Sequence, residues 1–240
     1  DGIHSDGKLT IFGGTIGTAQ GGKGDGGKGG NGIYSKDDLS IEGGSIETAQ
    51  GDKGYSRSDA AGAGIRSDGL LTIKGGAIET AQGGEGGSGD GGKGIFGRTM
   101  KILAGTIGTA KGGNATASNK NGGDGIHSDG DLTISGNATI TNATGGSCAK
   151  NSNNRYAGDG IHSDGDLTIF GGTIGTAQGG KGEGDSGDGG DGIYSEGDLT
   201  ISGGTINAKG GDSTDDTGGD GIVAAWLSTY VQLVLVGYVT

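Results

Sequence analysis

Seven residues occupy one position of a recurring phrase, directly after Gly-Ile: His4, Tyr34, Arg66, Phe96, His127, His162 and Tyr194. Each is planar, six of them rings and one a guanidinium. Planar groups repeated along an array form a strip on which sugar rings can stack, with neighbouring Ser and Asp positions supplying hydrogen bonds. The same pattern also suits rings that pack along a half-exposed strand face with no ligand. Three of the seven are His, but His4 lies far along the chain from the other two. No carboxylate spacing marks them as zinc ligands.

A second set is acidic. Asp6, Asp68, Asp129, Asp164 and Glu196 share one position of the phrase, and Asp38, Asp131, Asp166 and Asp198 another, two residues on. Three successive units carry the pair: Asp129 with Asp131, Asp164 with Asp166, Glu196 with Asp198. Carboxylates stacked in this way repel unless a cation intervenes, and an oxygen-only set suits Ca²⁺. Asp-Gly is equally ordinary turn chemistry. No other cofactor is expected.

A third set carries hydroxyls: Thr10, Thr72, Thr133, Thr168 and Thr200 in one register, and Thr15, Thr106, Thr139, Thr173 and Thr205 in another. Regular hydroxyls on a flat sheet can order water, so an ice-binding face is one reading. Ser40, Ser45, Ala77 and Lys101 interrupt it. No cluster of carboxylate and base stands apart from the repeat, as an active site would have to, and enzyme activity is not expected. The match to G-x-G-x-x-G over residues 24–29 precedes no helix and holds no phosphate.

The elements that must position these sets follow from the period. Gly-Ile recurs at Ile3, Ile33, Ile65, Ile95, Ile126, Ile161, Ile193 and Ile222, a repeat of about thirty residues that signals a solenoid. Within a unit, G-I-x-S-D-G-x-L-T-I-x-G-G-T-I-x-T-A-x-G-G reads as three short strands and their turns. Gly-Gly and β-branched residues exclude helix. Ile3 lies in the first strand, Leu9 and Ile11 in the second, Ile16 in the third, and each heads a register of aliphatics that runs through the chain. These registers predict stacking at about 4.8 Å per rung. The fold expected for residues 1–222 is an all-β, single-stranded, right-handed parallel β-helix of about seven rungs, with three short strands per rung and glycine-rich spacers.

Residues 223–240 abandon the glycine pattern and hold the only Trp, which reads as a C-terminal cap or an interface segment. In the spacers, Gly21, Gly24, Gly27 and Gly30 are spaced by three, as are Gly83, Gly86, Gly89 and Gly92. That period suits extended chains lying side by side in a second layer, although flexible loops would read the same way.

The totals narrow the function further. Among 240 residues there are 65 Gly, no Pro and one Cys, and the net charge is −12. The charge disfavours nucleic acid as a partner, and no apolar run is long enough for membrane insertion. The chain opens inside a repeat unit without an initiator Met, which reads as a processed or excised piece.

The "GIHSDGDLTISGGT"-type unit resembles the repeats of bacterial extracellular carbohydrate-binding-domain-containing proteins with parallel β-helix repeats, over Gly2 to about Gly221. The resemblance implies the β-helix and an extracellular or cell-surface location. A polysaccharide or cell-surface glycan is then the expected partner, beside self-association through the helix ends. A binding or adhesive module along the ring column is the first expectation. A structural or fibre-forming rod is the second.

Overall fold

A computed structural model describes residues 1–23, 27–55, 60–148, 155–183, 187–214 and 217–229. Among them no helix occurs, and none therefore is long and apolar enough to cross a membrane. The three-strand rung appears as read in Ile3–Ser5, Leu9–Ile11 and Thr15–Gln20, and again in Ile126–Ser128, Leu132–Ile134 and Thr139–Thr144. Every rung pairs in parallel with the next, like residue on like residue: Ile3 with Ile33, Leu9 with Leu39, Ile16 with Ile46. Seven rungs connected by six turns make the parallel β-helix that the period predicts.

Three strands per rung is not constant. Ile65–Ile73, Ile95–Ile102 and Leu167–Gln178 each fuse two strands, and Ile193–Lys209 fuses three. In Ile65–Ile73 and Ile193–Lys209 the Asp68-Gly69 and Glu196-Gly197 bends stay bonded to the rung below. Asp38 Oδ1 accepts from the Leu70 amide at 3.1 Å and Asp166 Oδ1 from the Asp198 amide at 2.9 Å, where the register slips by a bulge.

The interior is filled by the four aliphatic registers, fully buried from Ile33 onward; in the first rung, which is covered on one side only, Ile11 is buried and Ile3, Leu9 and Ile16 are partly so. A fifth inward column, Ala19, Ala49, Ala81, Ala110, Ala143, Ala177 and Ala208, was not among those registers. It lies where each third strand runs into its spacer. The Ser of each "G-I-x-S" also points inward. Ser35, Ser67, Ser163 and Ser195 donate to carbonyls of the preceding rung at 2.8 to 3.0 Å. Strand alternation requires this: with Ile inside and the ring outside, the next residue is inside again. These hydroxyls therefore join rungs and are not available to a ligand.

The spacers form a second hydrogen-bonded layer. The Gly113 amide donates to Gly92 O, Gly123 to Gly113 O, Gly146 to Gly123 O and Gly158 to Gly146 O, all between 2.7 and 2.9 Å. The zigzag thus alternates between the outgoing and returning legs of successive spacers. A Cβ on Gly123 would stand 2.0 Å from Gly92 O, and one on Gly112 at 1.8 Å from Gly123 O. No side chain fits at that approach, which explains the glycine. Of the glycines spaced by three, Gly24 lies outside the described residues.

Ile222–Thr229 adds a further parallel strand to the seventh rung, with Ile222 on Ile193, Val223 on Tyr194 and Leu227 on Leu199. Trp226 is 66% exposed. The remainder of the expected cap, residues 230–240, lies outside the described residues.

Candidate functional site

The seven planar residues do form one column. Strand pairing sets His4 against Tyr34, Tyr34 against Arg66, Arg66 against Phe96, Phe96 against His127, His127 against His162 and His162 against Tyr194. Rung spacing then brings their faces together. The Phe96 and His127 rings stack at 5.7 Å, His127 and His162 at 4.7 Å, and Arg66 lies 4.4 Å over the Phe96 ring. His162 with Tyr194, and His4 with Tyr34, meet tilted at 4.8 and 5.0 Å. Phe96 and His127 are only 7% and 9% exposed. The rings spend their faces on one another, so what the column shows outward is edges and polar atoms.

Carboxylates flank the column on both sides. On the turn side, Asp68 accepts from the Tyr34 hydroxyl and from Arg66 Nε, each at 2.7 Å. Asp129 Oδ1 lies 3.2 Å from His127 Nε2, and Asp164 Oδ1 lies 3.7 Å from the same atom and 2.9 Å from His162 Nε2. Glu196 closes this row beside His162 and Asp164.

The other side was not foreseen. Asp1, Asp124 and Asp159 each stand three residues before a His and accept from its Nδ1 at 2.6 to 2.7 Å. Their second oxygens accept the amide of the next rung: Asp1 that of Asn31, Asp124 that of Asp159 and Asp159 that of Asp191; Asp191, which precedes Tyr194, accepts that of Asp220 in the same way. Asn31 does the same for Ala63. The result is a ladder of side chains that ties the spacers to the strands. Its signal, D-G-I-H, is present in the sequence at each of the three His.

Ionisation in this ladder is uneven. Burial opposes the charge on Asp124, but Lys93 Nζ at 2.6 Å and the His127 ring outweigh it and hold the carboxyl well below the ordinary range. Burial pushes Asp159 up, and pushes Asp191 up to about 6. For His127 and His162, burial lowers the pKa, but bonds to Asp124 and Asp159 more than offset it and leave both rings raised.

The two acidic rows behave differently. Asp129, Asp164 and Glu196 face the rings, whereas Asp131 and Asp166 turn Oδ1 to the amides of Asp166 and Asp198 at 3.1 and 2.9 Å. Among the described residues, each trio of candidate ligands within 4.8 Å of one another includes a His: Asp124, His127, His162; His127, Asp129, Asp164; and His162, Asp164, Glu196. An imidazole-carboxylate set is what the fold assembles around the rings, and the expectation that no carboxylates accompany the His is corrected.

The Thr registers pair as expected, Thr133 with Thr168 and Thr200, and Thr139 with Thr173 and Thr205. Thr10, Thr15, Thr106, Thr173 and Thr205 are exposed, but Thr72 is buried and faces Lys101 in the next rung. A further column, Thr18, Thr48, Thr80, Thr109, Asn142 and Thr176, runs beside the second register.

Set beside known proteins, the chain matches no described family, no curated protein and no solved structure.

Proposed function

We propose that the chain is a non-catalytic binding rod, an adhesive module at the cell surface or outside it, that engages a carbohydrate polymer along the ridge of ring edges and carboxylates. One observation carries this reading: seven successive rungs repeat a planar group in register and five of them set an acidic group beside it, a one-dimensional array suited to a polymer with its own repeat. Contact would run through acceptors and not through ring faces. Carboxylates such as Asp6, Asp129 and Asp164 accept from sugar hydroxyls as charge-assisted bonds, and His4, 47% exposed in its side chain, is the exposed ring of the column. The Thr registers are less regular, broken by Lys101 and the buried Thr72, and support ice binding less well.

A structural rod is the second reading. The observation that favours it is the double layer, in which strands and spacers both template the next rung through backbone bonds.

Pull-down on insoluble polysaccharides and a glycan array, run in chelator and again with calcium, separate the two. Binding should fall at least tenfold in the triple variant His4→Ala, Asp6→Asn, Glu196→Gln. Silence of the unaltered chain across a broad panel would end the carbohydrate reading and leave the rod. Binding that requires calcium would assign the ion to the acidic turns.

A further inference from the structure

We infer that the middle of the ridge is a site for a divalent transition ion of the kind zinc represents, held by His162, Asp164 and Glu196, beside the like trio of His127, Asp129 and Asp164. The inference starts from the back of the rings. Asp124 and Asp159 each set a carboxylate oxygen against Nδ1, at 2.7 and 2.6 Å, so each Nε2 is turned to the opposite side. A carboxylate behind an imidazole fixes its tautomer and raises its basicity as a ligand. Two adjacent rungs repeat the device, and no strand geometry requires it of a ring that only packs.

The front of the rings then supplies the oxygens. His127 Nε2 stands 3.2 Å from Asp129 Oδ1 and 3.7 Å from Asp164 Oδ1, and His162 Nε2 2.9 Å from that Asp164 oxygen. Tetrahedral ligands at about 2.0–2.1 Å from zinc lie about 3.3 Å from one another. These three separations bracket that value, and the ligand atoms of each trio, His127 with Asp129 and Asp164 and His162 with Asp164 and Glu196, lie within 4.8 Å of one another. Nitrogen with carboxylate oxygen is a donor set that imidazole-binding ions favour over Ca²⁺ or Mg²⁺.

An independent observation points the same way. His162 Nε2 is fully buried and makes no hydrogen bond, although the Asp164 oxygen stands 2.9 Å from it. A buried polar atom without a hydrogen bond is costly, and this one faces Asp164, with Glu196 completing the trio. Asp164 and Glu196 are both exposed, so an ion enters from solvent between them. His4 shares the Asp1 contact at 2.7 Å and has Asp6 3.3 Å from Nε2, but its ring is half exposed and the next rung carries Lys36 where a carboxylate would complete the set.

The test is calorimetric titration of the chelator-stripped full chain with zinc chloride, with Co²⁺ as a spectroscopic substitute, and with no polysaccharide present. One ion per chain and an intense tetrahedral Co²⁺ spectrum are expected. His162→Gln and Asp164→Asn should each weaken zinc at least tenfold, while His4→Gln and Asp166→Asn leave it unchanged. A weak, six-coordinate Co²⁺ spectrum from the unaltered chain would overturn the inference, as would zinc affinity indifferent to His162→Gln and Asp164→Asn. Because sugar is absent, failure here leaves the carbohydrate reading standing, and the reverse also holds.

Discussion

The strand layer and the spacer layer of this chain solve one problem by opposite means. In the strands, rungs are held in register by large side chains: Ile134, for example, sits between Ile102 and Ile169 and is fully buried. Burial of each such residue contributes roughly 2–3 kcal/mol. In the spacers, register is held by having no side chain at all. The Gly123 amide reaches Gly113 O and its carbonyl receives the Gly146 amide, because nothing on either Gly keeps the legs apart. A templated array therefore needs a reason for each copy to sit on the last, and apolar bulk is only one such reason. Close backbone contact is another.

The contrast can be broken from either side. Gly123→Ala places a methyl 2.0 Å from a backbone carbonyl, and should cost more than about 4 kcal/mol in denaturant unfolding, because backbone cannot yield as a side chain can. Ile134→Ala leaves a cavity in a forgiving core and should cost about 3 kcal/mol. If the glycine change proved the milder of the two, the spacer layer would not be packed as described.

The carboxylate ladder joins the two layers and sharpens the comparison through pH. Asp191 is raised to about 6 from the usual 3.8, first by burial and then by the charges of Asp159 and Asp220, with the hydrogen bond from the Asp220 amide and the His162 ring opposing. A raised acid favours the fold while protonated, so its contribution is full below about pH 4 and is lost as pH rises through 6. Asn31 shows that an amide fills the same role in the same column. Asp191→Asn should therefore stabilise the chain at pH 7.5 by about 1 kcal/mol, a figure reduced for partial exposure. The gain, followed as a difference in Tm, should vanish toward pH 4.

Much of this was legible before any coordinates. Four aliphatic registers and the period of about thirty specify stacked parallel rungs, and the position after Gly-Ile specifies a column, because strand alternation acts on single residues. What the registers did not convey was contact between rungs. Rings on strands about 4.8 Å apart have no room to offer their faces outward, which is why His127 and Phe96 stack on each other. The Asp of each D-G-I-H falls outside the unit that begins at Gly-Ile, and its pairing with His127 or His162 appears only when the spacer is seen to return beside the strand. The spacer layer itself was half legible: the three-residue glycine period raised it, but only the close approach of Gly123 to Gly92 distinguishes a packed layer from loops.

Residue-resolved amide hydrogen exchange is the most direct test of the double layer. The account predicts that the amides of Gly123, Gly146 and Gly158 are protected to the same degree as those of Ile126 and Leu132, since all five donate to an adjacent rung or leg at 2.7 to 3.0 Å. Exchange of the three glycines at the rate of an open chain, beside protected Ile126 and Leu132, would contradict it.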